Sequence, residues 1–142
     1  MKLNRAKGAD NMKKTLEFLK QCGPFFVATE DGDQARVRPF GAVHEFEGKL
    51  YICTNNQKPC YQQMIANPKI EICGMNKDGR WIRITAEAVR DDRDEARHAA
   101  LEAAPSLRSM YSEGDGIFEV LYLKNAKSVI SSFTAAPETE EF

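Results

Sequence analysis

The sequence predicts a mainly β domain with flanking helices, in which six strands pair antiparallel as a small barrel. Three observations carry this. Strand-like stretches outnumber helical ones along only 142 residues. Successive strands are joined by short polar connections, "DGD", "EGK" and "NKDG", which favour antiparallel neighbours over crossovers. The composition, 42% apolar and 29% charged with a net charge of -1, is that of one ordinary globular domain with room for a stable core. The domain is expected over residues 1–133, and "TAAPETEEF", residues 134–142, is expected to be a flexible acidic tail.

The elements follow in order. Met12, Leu16 and Leu19 recur at helical spacing in "DNMKKTLEFLKQCG", where Asp10 or Asn11 is a candidate cap and Gly23 suits the end. "PFFVATE", "QARVRPFGAVHEF" and "LYICT" read as three strands. Pro59 fits a first helical position, and Tyr61, Met64 and Ile65 fall on one face before Asn67-Pro68 stops the helix. "KIEICGM" and "RWIRITAEAVR" are the next strands. Residues 91–111 form a charged, alanine-rich helix broken near Pro105, with Ala96, Ala99, Ala100 and Ala103 at helical intervals. "GIFEVLYLKNAKSVISSF" closes the sheet, with "KNAK" as a turn or bulge.

Balanced charge leaves no basic excess for nucleic acid. The opening "MKLNRAKGADNMKK" has no apolar leader core, and no apolar run is long enough to cross a bilayer. The expected protein is soluble and cytoplasmic, with no membrane partner. Cys22, Cys53, Cys60 and Cys73 form no C-x-x-C pair, and His44 and His98 are far apart in sequence. The cysteines therefore read as reduced, small apolar side chains, with no metal site.

Three stretches carry candidate chemistry. In "RVRPF", alternation puts Arg36 and Arg38 on one strand face and Val37 and Pro39 on the other. Pro39 cannot donate a ladder hydrogen bond, so the segment is either a solvated edge or a ligand-facing strand. In "YICTNNQKPCYQQ", a strand ends at Thr54 and a polar loop reaches Lys58 at a helix start. There a hydroxyl, an ammonium and free N–H groups suit a phosphate monoester. In "RWIRITAEAV", Ile82, Ile84, Ala86 and Ala88 face the core. Trp81, Arg83, Thr85 and Glu87 share the other face, which fits a subunit interface, a ligand wall, or an exposed strand face with one partly covered tryptophan. His44 has the parity of Arg36 and Arg38 but is left outside the site, and "RDDRDEAR" reads as a solvated helix face.

Together, the arginine-bearing second strand, the T-x-x-x-K loop entering a helix and the "ANPKI" turn resemble the pyridoxamine 5′-phosphate oxidase-like FMN-binding split barrels over roughly residues 12–133. The resemblance implies a six-stranded antiparallel split barrel and a homodimer with FMN at its interface. It implies that Arg36, Val37, Arg38 and Pro39 line the isoalloxazine and reach toward the phosphate. Thr54, Asn55 and Asn56 would follow the cofactor, and Lys58 would pair with its phosphate. Trp81 and Arg83 would complete the site, with the partner subunit as a candidate source, and Phe133 is a further candidate wall. The implied activity is FMN-dependent hydride transfer through flavin N5 to or from a small molecule, with NAD(P)H a candidate donor. Oxidases of pyridoxamine phosphate carry a C-terminal motif of tryptophan, arginine and histidine, which "VISSFTAAPETEEF" lacks. This argues against that substrate. The alternatives are a non-catalytic flavin- or haem-binding carrier or sensor, and a deazaflavin-dependent reductase.

Overall fold

The computed structural model describes residues 10–142. Residues 1–9, most of the stretch read as lacking a leader, lie outside it. The order is α1 (Lys13–Gln21), β1 (Phe25–Asp31), β2 (Gln34–Phe40), β3 (Val43–Phe46), β4 (Lys49–Asn55), α2 (Pro59–Ala66), β5 (Lys69–Met75), β6 (Trp81–Asp91), α3 (Asp94–Ala103), a 3-10 turn (Pro105–Ser109), β7 (Phe118–Ser131) and β8 (Glu138–Glu141).

All strands belong to one antiparallel sheet in the order β2-β1-β5-β6-β7-β4-β3, with β8 added beside β7. The sheet curls as a split barrel with flanking helices, but its edge strands β2 and β3 do not pair, so it stays open. Eight strands replace the expected six for two local reasons. The stretch 34–46 breaks at Gly41-Ala42, giving β2 and β3 on opposite edges. The supposed tail contributes β8, whose Glu138–Glu141 pair with Ile130–Lys127, while Phe142 packs against the core. Two charged neighbours make this strand possible. Glu140 accepts from the backbone N–H of Lys14 and Thr15 and from the Thr15 hydroxyl, and Glu138 reaches Arg80. Glu140 thereby caps α1, where Asp10 or Asn11 was expected and no local side chain does so.

Alternation sends Phe25 and Val27 of β1, Ile70 and Ile72 of β5, and Ile82 and Ile84 of β6 into the barrel, against Leu19 of α1 and Met64 of α2. Each such side chain contributes about 1.5–3 kcal/mol by leaving water. A second cluster gathers Tyr51, Phe118 and Val120 under Ala96, Ala100 and Leu101 of α3. On α2 the buried face is Cys60, Gln63 and Met64, whereas Ile65 is exposed, so the expected Tyr61–Met64–Ile65 face is shifted. The "KNAK" stretch is a bulge. Asn125 adopts φ +51, β7 continues through it, and the register against β6 shifts between Thr85 and Glu87. The Glu47–Gly48 turn of the β3–β4 hairpin also has both residues at positive φ, 51 and 77.

The charged run at the start of α3 is only partly solvated. Arg97 is buried, donating to the carbonyl of Phe118, and Glu119 is buried between Arg90 and Arg97. The sequence reading missed this because Glu119 lies in β7, far along the chain. Among the described residues no helix is long and apolar enough to cross a membrane.

Candidate functional site

The register pairs Val27 with Arg38 and Thr29 with Arg36, so both arginines share the inward face of β1. β2 is the sheet edge, as Pro39 requires, yet Arg38 does not point into open water. Its Nη1 donates to the Val27 carbonyl (3.0 Å) and the Thr29 hydroxyl (2.8 Å), and its Nη2 donates to Gln63 Oε1 (2.8 Å). The same Gln63 oxygen accepts from the Thr29 hydroxyl at 2.6 Å. All three anchors of Arg38 are neutral, so its charge is fixed in place without being cancelled. Thr29 and Gln63 are positioning residues that the sequence reading missed. The available signal was polarity on an apolar face: Thr29 continues the inward series Phe25, Val27, and Gln63 sits beside Met64.

Lys58 stands at the N-cap of α2, and Pro59 occupies the first helical position. Arg36, Arg38 and Lys58 line one opening of about 530 Å³, with Gln63 and Cys60 on its wall. Its single carboxylate, Asp31, meets Arg36 at 3.3 Å with both side chains half exposed. Among the described residues neither Arg38 nor Lys58 has a carboxylate within ion-pair distance. At Arg38, Lys58 and Cys60 this opening meets a second, of about 380 Å³, walled by Pro39–Ala42, Thr54, Met110 and Tyr111. Thr54 is buried, its hydroxyl 3.5 Å from the Cys60 sulfur. Burial pushes the Cys53 thiol up to about 11 although the Lys58 charge pulls the other way, so Cys53 is a neutral wall.

Other expected residues lie elsewhere. Val37 points to the opposite sheet face and is 66% exposed. Asn55 donates to the Tyr111 hydroxyl and accepts from the backbone N–H of Gln57, while Asn56 donates to the Gly116 carbonyl. Both shape the loop and neither lines the two openings. Trp81 and Arg83 line a separate opening of about 290 Å³ on the outer sheet face, where Arg83 pairs with Glu71 at 2.8 Å. Phe133 is 91% exposed, its ring centroid 5.0 Å from that of Trp81. Within one chain, therefore, Trp81, Arg83 and Phe133 are separated from the cationic cleft by the thickness of the sheet.

An open antiparallel split barrel with a cationic cleft between its edge strand and a helix N-terminus defines the class of this protein. The profile of the pyridoxamine 5′-phosphate oxidase family matches residues 12–127, and the chain belongs to this family. It is similar at 55% identity to a NimC/NimA family protein from Clostridium acetobutylicum, covering 100% of this chain and 99% of that one with a TM-score of 0.94. Its fold is also similar to General Stress Protein 26 from Bacillus anthracis str. Sterne (14% identity, 93% and 99% of the two chains, TM-score 0.70). A third likeness is a heme binding protein from Mycobacterium smegmatis (16% identity, 94% and 57%, TM-score 0.68). A search of curated proteins finds no match.

Proposed function

We propose that this chain is an FMN-dependent oxidoreductase acting as a homodimer. The observation that carries the reading is Arg38, held by three neutral oxygens beside Lys58, with no acid among the described residues to cancel either charge. Uncompensated cations in a fixed cleft fit a phosphate monoester close to two negative charges. Arg36, Arg38 and Lys58 would hold that phosphate, and the wall formed by Pro39–Ala42, Met110 and Tyr111 would receive the flat ring. When bound, FMN supplies hydride transfer through its N5. The chain's own contribution is orientation and charge. Arg38 is pre-set by Thr29 and Gln63, Asn55 and Asn56 fix the loop before Lys58, and Cys53 stays protonated.

Trp81 and Arg83 join this site only from a second copy. The outer sheet face that carries them also exposes Phe26, Val37 and Met75, apolar groups that pairing with another chain would cover.

The test is the absorbance spectrum of the purified protein, followed by FMN titration with fluorescence detection and an NAD(P)H oxidation assay. Flavin bands with stoichiometric FMN uptake support the reading. A protein that takes up no FMN overturns it. A Soret band without flavin bands moves the chain to the haem-binding alternative, the ligand class that the mycobacterial protein's name gives. FMN uptake without turnover moves it to the carrier class.

A further inference from the structure

The side-chain oxygen of Gln63 is occupied and its nitrogen is not. Oε1 accepts from Arg38 Nη2 at 2.8 Å and from the Thr29 hydroxyl at 2.6 Å. Thr29 has its proton free for that bond, because its oxygen already accepts from Arg38 Nη1. Two donors converging on one atom fix the amide. A flipped side chain would set an NH₂ group against a guanidinium and a hydroxyl proton. Nε2 therefore occupies the other corner of the amide, with two N–H donors and no partner among the described residues.

That nitrogen is accessible. Gln63 is 9% exposed, yet among the described residues the enclosed side-chain nitrogen without a hydrogen bond is His44 Nε2. Gln63 Nε2, equally unpartnered, thus keeps surface of its own, and the opening that Gln63 lines is the 530 Å³ cleft of Arg36, Arg38 and Lys58. A side chain nine-tenths buried has lost most of its water, and few donors so placed are left unpaired.

The neighbours define what would satisfy it. Arg38 and Lys58 are donors, and the Thr29 oxygen and Gln63 Oε1 are taken. Asp31, the carboxylate on this wall, is turned to Arg36 at 3.3 Å. The missing partner is an acceptor from outside the chain, in a place where two uncancelled cations favour negative charge. The Arg38 charge at the oxygen end also polarises the amide, making its N–H groups stronger donors toward the cleft.

We propose that Gln63, besides positioning Arg38, is itself a ligand-binding residue whose Nε2 donates directly to an oxygen of the phosphate monoester held by Arg38 and Lys58. The inference rests on the FMN reading above and adds a neutral, directional donor to the cations assigned there. Arg38 then acts on the anion twice, once by its own charge and once through the amide it polarises.

The test separates contact from positioning. In ¹⁵N-labelled protein, FMN is expected to shift the Gln63 side-chain amide signals and to give a scalar coupling between phosphorus and Nε2, which requires a hydrogen bond between them. Riboflavin, which lacks the phosphate, is expected to do neither. A thermodynamic cycle then compares Arg38→Ala with Arg38→Ala combined with Gln63→Leu. A residue acting only through Arg38 costs nothing once Arg38 is gone. Direct donation predicts a further loss of about fivefold in FMN affinity and none in riboflavin affinity. Equal FMN affinity of the two variants, or Gln63 amide signals that FMN leaves unmoved, would overturn the inference and leave the cofactor reading intact. If the double variant fails to fold, the coupling decides alone. If FMN does not bind, the cofactor reading falls and a titration with inorganic phosphate decides the inference. Shifted Gln63 amide signals then support it, and unmoved ones overturn it.

Discussion

Arg38 donates to the side-chain oxygen of Gln63 across 2.8 Å, fastening the edge strand to the helix that begins after Lys58. The bond orients the guanidinium without neutralising it, and three substitutions separate those effects. Arg38→Ala is expected to weaken FMN about ten- to a hundredfold, the range of a charge-assisted hydrogen bond. Gln63→Leu frees Arg38 and costs less. Gln63→Glu supplies a counter-charge and is expected to weaken FMN more than Gln63→Leu does while raising thermal stability. Fluorescence titration and melting curves read both; equal FMN affinity in the two Gln63 variants would refute the role of uncancelled charge.

The second-copy assignment predicts complementation. Homodimers of Arg38→Ala and of Arg83→Ala should each bind FMN poorly. After unfolding and refolding a 1:1 mixture, mixed dimers carry one intact site, so about a quarter of all sites should bind normally. No recovery would place Arg83 outside the site.

Glu140 joins the last strand to the first helix through three hydrogen bonds. Glu140→Ala removes a cap and is expected to cost about 0.5–2 kcal/mol in urea unfolding. Glu141→Ala, at an exposed neighbour, should be near neutral. Equal losses would show that strand pairing alone holds the C-terminus.

Acid stability should fall in two steps with different causes. Burial, then the Lys20 charge, depresses His44 from 6.5 to about 4, so below pH 6.5 the unfolded chain binds a proton that the native one refuses. Stability is full above pH 6.5 and falls as pH drops through about 4, by about 3 kcal/mol. The bond from Arg93, then that from Tyr51, holds Asp91 down at about 2, and its contribution is lost between 3.8 and 2. Urea midpoints against pH should show His44→Phe losing only the first step.

Alternation and turn residues made the strands legible, because burial on one face of a sheet enforces a period of two. The inward pairing of Arg36 and Arg38 followed from the same rule. What stayed hidden depends on groups distant in the chain. Gln63 meets Arg38 only after α2 folds back on β1, and Glu140 looked like tail charge until its helix partner was in place. Trp81 and Arg83 were read as completing the site with the partner subunit as a candidate source, and their β6 parity puts them on the outer sheet face.

β7 runs along β6 for most of its length while serving β4 with its first half and β8 with its second. During synthesis β4 and β6 therefore leave the ribosome with one edge each unpaired, and both wait for residues 118–131. Some 60 residues of chain, the count from β4 to β7, must be closed before the sheet becomes continuous, roughly a few seconds at typical elongation rates. In that interval the nascent chain is most open to capture by chaperones or by another unfinished copy. A ribosome-stalled chain ending before residue 118 should thus be more protease-sensitive at β4 and β6 than one exposing residue 131.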